Sequence, residues 1–222
     1  CRPWPPYWMM ELASWARIAL EAIPGEAPNQ ALRESLGRLK GRLLIGAINS
    51  LGVRRDSQAV DALAAKLADS DPEVAAAAAV ALGRIGGANA VKALRPALGT
   101  TTGKVRDAVA EGLLLAADRL LAEGNAAAAQ EIYDAVRTAD VAKQRQVEAI
   151  RGAILSRGPQ GVALLAEQLG STDRDVFAIV LATARELASD EVAQALVNAL
   201  GPIQKTTEAA PPVLTIKSAR YG

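Results

Sequence analysis

The sequence predicts an all-α fold: a right-handed α-solenoid of about six helical hairpins, with a short unpaired extended segment at its C-terminal end. Three observations predict it. Half of the 222 residues are hydrophobic and that half is dominated by Ala, Leu, Val and Ile, while aromatics are only 3%, which favours closely approaching helices over an aromatic-rich sheet core. Apolar residues recur at spacings of three and four, the helical period. Leucines also recur at a fixed long separation, which a stack of like units requires.

The repeat is legible residue by residue. Leu32, Leu63 and Leu94 are 31 residues apart, and after a step of 71 the series resumes at Leu165 and Leu196, again 31 apart. Leu36, Leu67, Leu98, Leu169 and Leu200 keep the same steps; Val74, Val105 and Val176 show the 31 and the 71, and Leu51, Leu82 and Leu113 follow at 31. The step of 71 is 31 plus 40, so one intervening unit is lengthened by nine residues. Each unit predicts a hairpin with a short first helix, over 57–68, 89–98, 160–169 and 191–200. The second helix is often longer, over 73–85, 104–121 and 173–188. The short helices belong on the convex side and the second helices on the concave side, with the leucine and valine rows filling the seam.

Punctuation supports these limits. Asp71-Pro72-Glu73 offers an N-cap, a proline at the first helical position and an acid in the positive first turn. Gly86-Gly87, Gly124-Asn125, Gly158-Pro159 and Gly201-Pro202 mark helix ends, because glycine tolerates the left-handed cap and proline cannot continue a helix. Pro96 falls inside a first helix, where a kink is expected.

The two ends read differently. Residues 1–11 hold three prolines with Trp4, Tyr7 and Trp8 and predict an extended segment that Trp15 could cover, either a docking segment or a fragment end. After the array at 12–201, residues 202–212 read as a linker. Val213 to Tyr221 alternates as a β-strand does, so residues 213–222 read as the start of a truncated β-rich domain, since one strand is not stable alone. A chain beginning at Cys1 rather than Met, without a signal segment, reads as a fragment or processed product of a larger chain whose compartment cannot be read.

Composition excludes much chemistry. The chain has no His and a single Cys, so a His-nucleophile pair, a His-based metal site and an internal disulfide are all impossible. No cofactor or metal site is expected. Lys plus Arg number 25 against 24 Asp plus Glu, a net charge that creates no global field for nucleic acid or anionic lipid. The longest apolar run, Val74 to Leu82, is nine residues, far short of a membrane span.

What remains are local features. The carboxylate pairs Asp69 with Asp71, and Asp173 with Asp175, sit at inter-helix turns and read as caps rather than as acid–base machinery. Gly52, Gly83, Gly86 and Gly87 lack a preceding strand or a phosphate-loop pattern and read as tight-packing and turn glycines. From Arg33 to Arg55 six basic residues, Arg33, Arg38, Lys40, Arg42, Arg54 and Arg55, face the one acid Glu34, a segment charge of +5. Such a patch could grip phosphodiesters. It does not continue along the chain, since residues 104–157 hold eight basic and eight acidic residues, and no aromatic lies in it for base stacking.

Asp71-Pro72-Glu73-Val74, the alanine run, Ala81-Leu82-Gly83-Arg84-Ile85-Gly86 and Ala90-Val91-Lys92-Ala93-Leu94 together resemble a HEAT repeat of the phycobilisome-lyase-like subclass, typical of bacterial multidomain proteins. The resemblance extends over 12–201 with partial matches, including a divergent fourth unit at 125–156 with a tetratricopeptide flavour. It implies an armadillo-like helical scaffold for protein binding, without catalysis. The di-iron members of that superfamily need His-Glu pairs that are absent here. Asn49 resembles one rung of the asparagine ladder of armadillo repeats, but no second rung follows, so a local backbone bond is expected for it.

The resulting expectation is a non-catalytic protein–protein interaction scaffold or spacer, monomeric or part of a larger chain, with a partner of unknown identity. Asn49, Arg54, Arg55 and Arg84 are the candidate contact residues. The alternatives are an accessory or chaperone-like subunit or spacer for an enzyme, chromophore-lyase-like or carbohydrate-active, and phosphodiester binding by 33–55.

Overall fold

Helix limits in the computed structural model follow the local signals. Asp71 accepts from the Glu73 amide with Pro72 at the first helical position. Asp173 accepts from the amides of Asp175 and Val176, Asn125 from that of Ala128 and Asp56 from that of Gln58. Each satisfies a donor that the first turn leaves without a helical partner. The structure describes residues 7–208, with side chains over 14–199. Among the described residues there are twelve α-helices and no strand.

The chain divides after Arg157 into two compact units. The first holds α1 (Tyr7–Ala22), α2 (Glu26–Ser35), α3 (Gly41–Arg54), α4 (Val60–Lys66, entered by a 3-10 turn), α5 (Pro72–Ile85), α6 (Gly87–Thr100), α7 (Gly103–Ala122), α8 (Ala126–Arg137) and α9 (Lys143–Leu155). Hairpin partners pack as α2 on α3, α4 on α5, α6 on α7 and α8 on α9. Between hairpins, α1, α3, α5, α7 and α9 meet in sequence, so they form an inner layer against the outer α2, α4, α6 and α8. This is an all-α solenoid, with α1 standing as an inner helix at its start. The second unit holds α10 (Gly161–Leu169), α11 (Arg174–Leu187) and α12 (Asp190–Glu208), with α10 packed on both of the others.

The leucine rows are core. Leu32, Leu63, Leu94, Leu51, Leu82 and Leu113 are buried in the first unit, and Leu165, Leu169, Val176 and Val180 in the second. Leu67, Leu98, Val105 and Leu196 are half-buried. The lengthened repeat is visible as α7, which has 20 residues against the 14 of α5. Pro96 lies on the exposed side of α6, where the Lys92 carbonyl loses its helical donor, and the helix continues to Thr100.

Three boundaries differ from expectation. Tyr7–Met10 belong to α1 instead of an extended segment, because Pro3, Pro5 and Pro6 all precede the first helical residue, where proline does no harm; residues 1–6 lie outside the described residues. The linker expected at 202–212 is helical as far as Glu208, so Gly201-Pro202 does not end the helix, which continues without the bond that the Asn198 carbonyl would otherwise accept. Residues 209–212 and the strand expected at 213–222 lie outside the described residues. The array at 12–201 forms two units, each with its own core.

Candidate partner-binding surface

The inner layer is built by small residues. Helix α5 has buried positions nearly all the way round, Val74, Ala75, Ala76, Ala78, Ala79, Ala81, Leu82, Gly83 and Ile85, because α3 and α7 press on it from two sides. Only glycine and alanine permit that approach. A Cβ on Gly52 would lie 2.9 Å from the Ala81 Cα, one on Gly83 would lie 2.6 Å from the Gly112 carbonyl carbon, and one on Gly112 would meet the Ala79 backbone. Gly52 and Gly83 are therefore packing glycines, as their context predicts.

Close approach aligns α3, α5 and α7 and leaves two clefts on their open side. One, of about 350 Å³, is lined by Ile45, Asn49, Glu73, Ala77, Val80, Lys104, Asp107, Glu111 and Arg145. Its charges are matched in pairs: Lys104 with Glu73, and Arg145 with Glu111 at 2.7 Å, while Asp107 accepts from the Ala142 amide. The other, of about 700 Å³, lies at the C-terminal ends of the three helices and is lined by Gly52, Val53, Arg55, Gly83, Arg84, Leu115, Asp118, Arg119, Ala122 and Glu123. Its far wall, Leu115 to Glu123, belongs to the final turns of the long α7 and the residue that caps it.

The four candidate residues do not form one site. Arg55 and Arg84 share the larger cleft and Asn49 lines the smaller one. Asn49 makes no hydrogen bond among the described residues, which corrects the expected backbone bond; it lines the smaller cleft instead. Arg54 is turned inward. Its guanidinium donates to the carbonyls of Leu20, Glu21, Ile23 and Gly25 at 2.8–3.1 Å and to the Asn29 side chain, so it closes the end of α1 and the turn after it.

The basic stretch 33–55 is dismantled in the same way. Arg33 binds Glu26 and Asp56 and is held more firmly protonated by the bond to Glu26 above all, while Glu26 is lowered chiefly by that same bond. Arg38 faces Glu34 at 3.6 Å. Lys40 and Arg42 stand at the start of α3 and Arg55 beyond its end, about 20 Å apart at 1.5 Å per residue. No continuous cationic track results.

The α7 wall is anchored from behind by a residue that the sequence did not single out. Tyr133 is fully buried on α8, stacks its ring edge where Gly152 leaves room, and donates to Asp118 Oδ1 at 2.6 Å. Burial first, and the bond to Asp118 second, push its phenol well above the ordinary range. Its standing as the one aromatic residue between Trp15 and Phe177 was the available signal. On the same wall, Arg119 donates to the Ile85 carbonyl at 3.0 Å and to Glu123 at 2.8 Å.

Among the described residues no group of three His, Cys, Asp or Glu side chains could hold a metal ion, and no helix is long and apolar enough to cross a membrane.

The family model for HEAT repeats matches residues 30–114, the stretch from α2 into α7 that carries the small-residue seam. It is these residues that carry the likeness to HEAT repeats. The fold is similar to that in the complex of CpcE and CpcF of phycocyanin lyase from Nostoc sp. PCC7120, with a TM-score of 0.51 and 20% identity over 95% of this chain and 86% of that one. An engineered protein aligns at a TM-score of 0.47 and 23% identity over 85% of this chain and 90% of its own. No curated protein matches the chain. Both clefts extend past the matched residues, the larger by Leu115 to Glu123 of its α7 wall and the smaller by Arg145 of α9.

Proposed function

We propose that the chain is a protein-interaction scaffold whose working surface is the open side of α3, α5 and α7, with Asn49, Arg55 and Arg84 among its contacts. The observation that carries this reading is the exposed apolar floor along that side. Val53 is 54% exposed, and Ile45, Ala77, Val80 and Leu115 are half-buried along the same three helices, a surface rimmed by charge as partner sites are. The backbone beneath it is fixed by glycine contacts, so little ordering opposes binding. An accessory role beside an enzyme is the same geometry with an enzyme as the occupant, and CpcE and CpcF, of similar fold, are themselves found in a complex with each other.

The test is a photo-crosslinking amino acid placed at Val53, at Val80 or at the outer-layer Arg95 in the full chain inside its native host. Adducts from the first two positions and not from Arg95 are the expected result. Adducts from Arg95 alone, or from none of the three, would overturn the reading.

A further inference from the structure

We propose that the larger cleft docks an acidic segment of the partner protein, its carboxylates on Arg55 and Arg84 and an apolar side chain against Val53 and Leu115. The proposal rests on the scaffold reading and adds to it the chemistry of the occupant.

The charge balance of the cleft points this way. Its lining carries Arg55, Arg84 and Arg119 against Asp118 and Glu123. Both acids are already engaged, Asp118 by the Tyr133 hydroxyl and Glu123 by Arg119. Among the described residues Arg55 and Arg84 meet no carboxylate and no hydrogen-bond acceptor, and both are exposed. Three arginines against two acids leave the lining at a net charge of +1, and its two unengaged charged groups are both guanidiniums, each presenting a fork that matches a carboxylate.

Arg55 adds an independent sign. It stands just after α3 in the left-handed region at φ 53, its amide bonded to the Gly52 and Leu51 carbonyls. Glycine closes a helix at such a position with less strain than any residue bearing a Cβ. An arginine held there is fixed at its base by the helix end and projects beside Val53. Strain of this kind is found where a side chain is needed for something else.

The wall that completes the cleft exists because α7 runs six residues longer than α5, 20 against 14. A repeat of ordinary length would leave Arg55 and Arg84 on an open slope. Carboxylates of a protein suit the site better than phosphodiesters: the lining contains no aromatic ring for bases, and the remaining free cations of the basic stretch, Lys40 and Arg42, lie at the other end of α3.

The test uses the full chain immobilised against a phage-displayed random-peptide library, with selected peptides then measured by fluorescence anisotropy. Selected peptides should be enriched in Asp and Glu next to Leu, Ile or Val, and their affinity should fall as salt rises. Arg84→Glu should weaken them by about tenfold, and Arg55→Gly by about fivefold, as expected for a partly exposed ion pair. Arg55→Gly relieves the left-handed strain, so its thermal midpoint should be unchanged or raised, which separates lost binding from lost folding. Peptides without acidic enrichment, or bound equally by both variants, would overturn the proposal. If those peptides are instead lost on Asn49→Lys, the scaffold reading stands and this one fails; if the library yields no binder, both fail. A short DNA duplex that binds in place of acidic peptides and is lost with the same two variants would assign the cleft to phosphodiesters and overturn it as well.

Discussion

Gly83→Ala tests whether the backbone contact between α5 and α7 is the foundation of the inner layer. The added Cβ would stand 2.6 Å from the Gly112 carbonyl carbon, with the carbonyl oxygen and Cα closer still. All three are backbone atoms, so no side chain can swing away. Restoring an ordinary separation near 3.4 Å requires the helices to part by about 1 Å, which forfeits a quarter to a half of the dispersion energy across the seam. That seam includes Ala79, Leu82, Ala108, Val109, Leu113 and Ala116, all buried. Overpacking of this kind costs ~1–3 kcal/mol or more, while alanine in a helix interior returns about 1 kcal/mol relative to glycine. The expected net loss is about 2 kcal/mol, or ~4–8 °C in the thermal midpoint of a unit of this size. Gly99→Ala is the control: Gly99 is on α6 with nothing within 4 Å of its would-be Cβ, so the same change should stabilise by about 0.5–1 kcal/mol. Urea unfolding of both variants reads the difference. A Gly83→Ala protein as stable as the parent would refute the close-contact account.

The arginines give a paired prediction: Arg54→Ala should raise exchange of the amides in the last turn of α1 by about tenfold or more, from loss of charge-assisted bonds worth ~1.5–3 kcal/mol together. Arg84→Ala, with no partner to lose, should stay within about 0.5 kcal/mol of the parent; equal effects would contradict the structure. Tyr133→Phe removes one hydrogen bond to Asp118 and should cost about 1 kcal/mol in urea unfolding, with no change at all counting against the anchoring of α7. The pH dependence is set in part by Asp134. Burial alone would raise its pKa, but bonds from Arg137 at 2.8 Å and Arg157 at 2.5 Å outweigh burial and hold it below the usual carboxylate value. A lowered folded pKa gives stability above the unfolded value that is lost as pH falls through the folded one. Asp134→Asn should therefore be less stable than the parent at pH 7 and converge with it as pH falls through the lowered carboxyl pKa; a gap that persists in acid beyond that point would sink the assignment.

The fold was legible because periodicity and packing report the same thing. Leu63 and Leu94 lie 31 apart since each fills the equivalent place in a hairpin, and the step of 71 between Leu94 and Leu165 was readable as extra length, six residues of which lie in α7 beyond the length of α5. Caps such as Asp71 were legible because their partners are two or three residues away. The surface was less so. Arg54 and Arg55 are adjacent in sequence and equal in type, yet one closes the end of α1, 31 to 34 residues earlier, and the other faces the cleft. What separates them is a switch from helical to left-handed backbone between the two, which turns successive side chains apart and leaves no mark on composition. Asp56, one residue beyond the basic stretch, neutralises Arg33 by the same kind of distant contact.

The arginines of the first unit follow a rule that explains which of them are free. Arg33 with Asp56 and Asp134 with Arg157 are the same tie in opposite polarity, each spanning 23 residues and fastening a hairpin's first helix to the end of its second. Arg54 and Arg119 both reach back to carbonyls that end the preceding inner helix, α1 and α5 respectively. By that pattern an arginine near the end of α5 should close α3. The end of α3 is already closed by its own backbone, with the Arg55 amide on Gly52 and the Asp56 amide on Leu51 at 3.1 Å each. Arg84 is thereby left without a structural task, and the left-handed turn that releases it is the one that sets Arg55 beside it. The two free guanidiniums of the cleft thus share one origin in the backbone at the end of α3.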